Sequence, residues 1–464
     1  MNKKSVHGKL IFCIFSIIGG IFLIGNIVNA ADLKIFDREL EFQSELNLIP
    51  DDFVGVTNLT LVDLGGDGQS EIVVTYGETD WPILKIFRVD GSLVNSWHPY
   101  PRGFTGEIVV TSADFDNDGK EEIVTGAGAG GGAQVRVFDG YGEPKFVPSF
   151  FAREKDYRQG IKVAVGNIDE NVEKEIIVSS IYEDGAMISF FDRYGKEVKK
   201  SITIELVDNF EAPNIETIDL GEDNVEEILV GLSSGNKPEI RMIRLDGSLI
   251  NSFNVYGETF LGGVNFTVVD SGDENLIITG AGFSGGPHVR FVDGFGKVKI
   301  DPAFFSHDRT FRGGVRVAYG DITGDGNMEL LAMPQYSNSN GYLHKYIDID
   351  ISEQKMRTYQ SGRLLNEYLI SSGLKGMDTP LGEFSIWQKN PRAYSATYEL
   401  FMPFWMSFKP KYGIHELPEW ASGHKEGEDH LGRRASHGCV RLGIGSAEEV
   451  YRFAPIGTKV IIHE

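Results

Sequence analysis

The chain has 464 residues, 41% of them hydrophobic and 24% charged, and carries a net charge of −23. That length exceeds one ordinary domain, and the composition excludes a disordered chain. The acidity is confined to one part: residues 1–345 hold 52 acidic and 30 basic residues, whereas residues 346–464 hold 15 and 14. The acidic part repels nucleic-acid phosphates, which excludes nucleic acid as a partner, and it attracts cations.

At the start, Lys3, Lys4 and Lys9 lead into an apolar run over residues 10–28, and Val28-Asn29-Ala30 has the small-residue spacing of a cleavage site. Residues 1–30 read as a signal peptide or, because the run is 19 residues long, as a membrane anchor. Either reading predicts an exported protein, in the cell envelope or outside it. Of the two cysteines, Cys13 lies in this segment. Cys439 is then the one thiol of the mature chain and a candidate reactive group.

From residue 31 to about 343 a repeat dominates. The phrase D-x-G-x-D-G-x-x-E-[IL], followed by an apolar run, begins at Asp63, Asp114, Asn167, Asp219, Asp270 and Asp321, with steps of 51 to 53 residues. A second phrase follows within each unit, two apolar strands around a D-G or similar turn, as in IFRVDGSLVNSW from Ile86. Such turns between alternating residues predict hairpins, and several short strands per unit predict a four-stranded propeller blade. Two stretches, at Gly126 and Pro148, recur 154 residues later at Gly280 and Pro302, so blades one to three look duplicated as four to six. The segment LKIFDRELEFQSEL from Leu33 matches a second phrase that lacks a first, while the first phrase at Asp321 lacks a full second. A closed six-bladed ring explains both, with the N-terminal strands completing the last blade.

The acidic phrase resembles the cation loops of integrin-type (FG-GAP) propeller repeats. Its best copy offers Asp114, Asp116, Asp118 and Glu122, carboxylates at alternating positions as a hard cation requires. These are candidate ligands of a structural, non-catalytic Ca²⁺. The other copies have lost ligand residues.

The pattern changes near Tyr346. Alternation through YIDIDISEQKMRTYQSGRLLNEYLISSGLKG predicts strands joined by turns at Ser352-Glu353 and Ser361-Gly362. TPLGEFSIW from Thr379, GIHELP from Gly413 and RASHGCVRLG from Arg434 follow. A thiol attacks an amide as thiolate and needs a base or cation beside it. His415 and His437 are the candidates, and His424 and His430 lie in the polar stretch between Glu416 and Ser436. If residues 437–441 are extended, His437, Cys439 and Arg441 share one face. Gly438 permits close backbone approach, and the amides of Gly438 and Cys439 are candidate oxyanion donors. The spacing of these histidines and Cys439 matches no common zinc pattern.

T-P-L-G-E-F, I-H and S-H-G-C-V-R in this order resemble the L,D-transpeptidase (YkuD-like) catalytic domain. The resemblance covers about a quarter of the chain, residues 344–464. With the repeats before it, the expected architecture is mainly β: a six-bladed β-propeller followed by a β-rich catalytic domain. It implies Cys439 as nucleophile and His415 as general base, with Ser436, His437, Gly438 and Arg441 in support. It implies peptidoglycan stem peptides as substrates, 3→3 cross-links made through a thioester, and no cofactor for catalysis. Alternatives are an L,D-carboxypeptidase that trims stem tetrapeptides, or a surface-binding protein whose propeller is the main module. The propeller would bind wall polymer or a protein. One departure from the family is that 20 residues separate His415 from Ser436, more than its usual spacing.

Overall fold

Each repeat unit becomes one four-stranded antiparallel sheet, in a computed structural model that describes residues 32–464 except 51–52, 54, 79–80, 105, 169–172, 183–184, 207–210, 221–224, 235, 271–274, 301–303, 337–344, 361–362 and 455–457. The predicted export segment with Cys13, the turn at Ser361-Gly362 and the expected domain boundary at 343/344 lie outside the described residues. Among the described residues no helix is long and apolar enough to cross a membrane.

The first blade runs through Thr57–Val62, Glu71–Glu78, Trp81–Phe87 and Leu93–Trp97. The first strands of successive blades touch in a closed cycle, with the sixth returning to the first. The last blade is composite. Its inner strands are Val315–Gly320 and Glu329–Pro334, and its outer strands are the N-terminal Leu33–Phe36 and Phe42–Leu46. Ile35 pairs with Leu331 across that join, and Thr57 N–H donates to the Gln335 carbonyl at 3.0 Å to tie the ring shut. The six-bladed ring and its closure are as the repeat count predicted.

The repeated Glu of the first phrase has one task in five blades. Glu71, Glu122, Glu175, Glu227 and Glu329 each accept the backbone N–H of the residue seven positions earlier, at 3.0 to 3.2 Å. Asparagines clasp some blades to the next: Asn58 donates to the Ile108 carbonyl, Asn214 to that of Val264 and Asn265 to that of Val315.

The C-terminal sheet has ten strands: β1 (Lys345–Asp350), β2 (Lys355–Gln360), β3 (Arg363–Ser371), β4 (Gly382–Ser385), β5 (Gln388–Ser395), β6 (Leu400–Lys409), β7 (Tyr412–Glu416), β8 (Glu419–Trp420), β9 (Val440–Leu442) and β10 (Lys459–His463). Its order is β4-β10-β1-β2-β3-β9-β7-β6-β5, with β8 on β6. One helix, α1 (Ser446–Phe453), buries Ala447 and Val450. Alternation in β1 and β2 puts Ile347, Ile349 and Met356 into a core with Ile370, Met406, Ile414, Val440 and Leu442. That core fixes β7 and β9 side by side, and these two strands carry the chemistry. The propeller and this sheet meet where Lys345 Nζ lies 3.5 Å from Glu211.

Candidate active site

β7 and β9 run parallel, with Ile414 opposite Val440 and His415 opposite Arg441. Cys439 is the residue just before β9. Its Sγ is 3.9 Å from the Lys411 carbonyl, at the start of the turn into β7. Neighbouring parallel strands thus carry the two residues, Cys439 at the entry to β9 and His415 within β7, 24 residues apart in sequence. Cys439 is half-buried and His415 is buried.

The electrostatics describe a neutral pair. Burial pushes the Cys439 thiol up, against the opposing effects of a Gly413 backbone contact and the Arg441 charge. Burial pushes His415 down to about 3, helped by the positive charge of Arg441 and opposed by its hydrogen bond to Glu416. His415 Nδ1 lies 2.5 Å from the Glu416 carbonyl. A carbonyl accepts, so Nδ1 carries the proton and Nε2 presents a lone pair. Cys439 is therefore a thiol at rest and His415 a neutral acceptor, an arrangement suited to removing the thiol proton as the carbonyl is attacked.

The nucleophile loop is not extended. Gly438 has φ +112°, a region that favours glycine, and residues 437–439 form a bend before β9 begins. Ser436 staples the bend: its Oγ donates to the Cys439 carbonyl at 2.5 Å and accepts from Gly438 N–H at 3.0 Å. The expectation that His437, Cys439 and Arg441 share a face is corrected for this reason. His437 turns outward, is exposed and stacks on Tyr398 with ring centroids 4.8 Å apart. The Gly438 amide is spent on Ser436, which leaves Cys439's own amide as the loop's oxyanion candidate. A Cβ on Gly438 would meet Tyr412 at 2.7 Å, so glycine is required by space as well as by φ.

Arg441 faces inward. Its Nη1 donates to both Glu426 oxygens, at 3.0 and 2.8 Å, and to the Ala435 carbonyl. It holds the loop and the insert together. Sequence reading missed this role of the insert. Glu416, buried beside His415, accepts Lys425 at 2.8 Å and the Gly445 amide at 3.2 Å. His430 Nδ1 lies 3.0 Å from Glu426, and His424 stacks on Trp420. The T-P-x-G segment braces the loop from the other side. Thr379 Oγ1 accepts Gly373 N–H, and Leu374 N–H donates to the Ser436 carbonyl, both at 2.9 Å.

In the propeller, single ligand atoms of Asp114, Asp116 and Glu122 lie within 4.8 Å of one another. Asp118 is not in that group; its carboxylate accepts the Lys120 amide at 2.8 Å, and Asp114 accepts the Asp118 and Gly119 amides. Lys145 Nζ lies among them, 2.9 Å from Asp116 and 2.7 Å from Glu122. Hydrogen bonding to Lys145 lowers Asp116, while burial raises Glu122. As arranged, this set holds an ammonium, and a calcium ion, which takes six to eight oxygens, would have to displace Lys145.

Residues 344–462 match the family YkuD, L,D-transpeptidase catalytic domain. They form a YkuD-family domain. Among curated proteins, YciB of Bacillus subtilis (strain 168), which carries an L,D-transpeptidase name, is 33% identical over 127 residues, 26% of this chain and 66% of that protein. YkuD of Bacillus licheniformis, similarly named, is 30% identical over 25% of this chain and 64% of its own length. The chain thus spans just under two thirds of these relatives. The solved catalytic domain of an E. faecium L,D-transpeptidase is 25% identical, with 26% of this chain on 98% of that one and a TM-score of 0.22. An L,D-transpeptidase from Stackebrandtia nassauensis is 22% identical, with 26% of this chain on 56% of that one and a TM-score of 0.23. Structural likeness at such TM-scores carries no weight beside the sequence matches. The family match covers the sheet that holds Cys439 and His415, and leaves the propeller unassigned.

Proposed function

We propose that this chain is an exported peptidoglycan L,D-transpeptidase that makes 3→3 cross-links through a Cys439 thioester. One arrangement supports the reading: a free, half-buried thiol at the entry to β9, beside the parallel strand β7, whose buried His415 imidazole has its Nδ1 held by a backbone carbonyl. Cys439 Sγ attacks the carbonyl carbon of the third stem residue and its proton passes to His415 Nε2. The C–N bond to the terminal D-Ala breaks, and that amine leaves with the proton from His415. A side-chain amine of a second stem then attacks the thioester, gives its proton to His415, and the thiol is restored as the new amide forms. Bond energy is kept in the thioester, so the residues need no metal or nucleotide for these steps.

The test is incubation of the chain with purified tetrapeptide muropeptides, followed by intact-mass analysis. Cross-linked dimers lacking one D-Ala are expected. Trimmed tripeptides alone would make it an L,D-carboxypeptidase with water as acceptor. A carbapenem should add its mass to the wild type and leave Cys439→Ala unlabelled; equal labelling of both would remove Cys439 from the role.

A further inference from the structure

The propeller contains its own control experiment. After the third strand of every blade the chain makes the same tight turn, closed by two backbone hydrogen bonds, although in blades two and five the fourth strand begins only further on. These pair Asp37 with Glu41 and Leu40, Arg88 with Ser92 and Gly91, Asp139 with Glu143 and Gly142, Asp192 with Lys196 and Gly195, Arg244 with Ser248 and Gly247, and Asp293 with Lys297 and Gly296. This register aligns the tip residues. They are Asp90, Tyr141, Tyr194, Asp246, Phe295 and Glu39 in blades one to six. All six are exposed. Three tips are carboxylates, as a solvated turn would have. The other three are aromatic, and they are 86%, 54% and 79% exposed for Tyr141, Tyr194 and Phe295.

The turn does not require an aromatic ring, because its siblings form the same hydrogen bonds with an acid at that position. The backbone that carries each ring is firmly held. Each aromatic residue's amide donates to the Asp two positions before it, at 2.9 to 3.0 Å. The glycine after it packs on an aromatic of the preceding strand or blade; a Cβ there would meet Trp97, Phe150 or Phe253 at 2.8 Å or less. Because strands alternate in direction, these tips lie on the same face as the acidic first-phrase turns. That face offers exposed flat rings, Tyr141 and Tyr194 on adjacent blades and Phe295 between two carboxylate tips.

We propose that these tips are a binding face for an uncharged amino-sugar polysaccharide, which would hold the enzyme on the wall glycan; this rests on the peptidoglycan reading above. Axial C–H groups of a pyranose carry partial positive charge and stack on the negative face of an aromatic ring. Neighbouring carboxylates accept sugar hydroxyls. A protein partner would want a contiguous apolar patch, and these rings are separate. The excess of 22 negative charges in residues 1–345 opposes anionic polymers and anionic lipid. A polymer that repeats its rings can use several tips at once, so weak single contacts add through avidity.

The test uses the full chain and insoluble chitin, an uncharged N-acetylated amino-sugar polymer without stem peptides, so that the catalytic domain has no peptide to hold. Co-sedimentation should fall at least ~10-fold in the triple variant Tyr141→Asp, Tyr194→Asp, Phe295→Asp, the scale expected when several linked contacts are lost together. These substitutions install what the sibling blades carry, so folding should persist. Carbapenem labelling of Cys439 should be the same in both proteins, and it separates failure of this proposal from failure of the catalytic one. No sedimentation of the wild type, or equal sedimentation of the triple variant, would overturn the proposal. So would tip-dependent binding to phosphatidylcholine vesicles, which would make the face a membrane contact.

Discussion

At the residue scale, the Cys439–His415 pair makes a pH prediction with a definite sign. His415 is held near 3, so it remains a base far below the ordinary imidazole range, and the raised thiol releases its proton only in alkali. Carbapenem acylation should be flat from about pH 4 through neutrality and rise in alkaline solution, with no acid limb near ~6.5. Stopped-flow or mass-resolved rates across that range check it; a bell with an acid limb near the ordinary His value would mean a charged Cys–His pair instead. Stability follows the same shift. The folded state holds His415 below its unfolded value, so that contribution is complete above ~6.5 and lost as pH falls toward 3. Acylation should therefore be read in short pulses at the acid end. The sequence named both residues because they sit in local phrases, and it missed the Glu416 carbonyl because a backbone acceptor has no side-chain signature. Lys145 gives a second prediction. Its ammonium already neutralises Asp116 and Glu122, so neither EDTA nor calcium should move the melting temperature of the wild type. In Lys145→Met the carboxylates face one another unpaired. That variant should melt several degrees lower and recover with millimolar calcium, by mass action on the folded state. A wild-type shift with EDTA would restore the loop as a calcium site.

At the element scale, what was legible was what repeats. Six evenly spaced phrases predicted six blades, and period-two alternation predicted β1 and β2, because each copy of a pattern checks the others. A shared face for His437, Cys439 and Arg441 required an extended segment, and the positive φ of Gly438 that bends it leaves no trace in a hydrophobic pattern. The insert between β7 and β9 is polar, a composition that suits a solvated loop. Glu426 is nonetheless spent inward on Arg441, and a pair 15 residues apart has no helical or strand spacing to reveal it. Their side chains are 13% and 9% exposed, so removing one leaves the other charged and enclosed. Glu426→Ala should cost the catalytic domain about 3–5 kcal/mol, the range for breaking a buried pair. Glu426→Gln, which retains an acceptor for Arg441, should cost less. Chemical denaturation of both variants checks the order; a loss below ~1 kcal/mol for Glu426→Ala would return the insert to a surface loop.

At the scale of the whole molecule, the ring is closed by residues from its two ends, and this decides how it should fail. Leu33 and Ile35 pack with Ile72, Val74 and Leu331 in one core, while Phe36 packs with Val289, Phe291 and Leu330 in the next. The N-terminal strands therefore serve two inter-blade cores, one on each side of the sixth blade. All three side chains are 5% exposed or less, and losing each would cost about 2–5 kcal/mol. Their sum reaches the whole stability of an ordinary domain, about 5–15 kcal/mol, before the backbone edge at Glu329–Pro334 is counted. Removing residues 33–46 should thus unfold the propeller as one unit at a much lower temperature, not leave five blades behind. The C-terminal sheet has its own core and meets the propeller at the Lys345–Glu211 pair, so Cys439 in the truncated chain should still take up a carbapenem at 25 °C. Calorimetry with parallel mass analysis separates the outcomes. A truncated chain whose propeller melts in two steps, with most blades retaining wild-type stability, would show that the ring behaves as an open array and that its closure is ornamental.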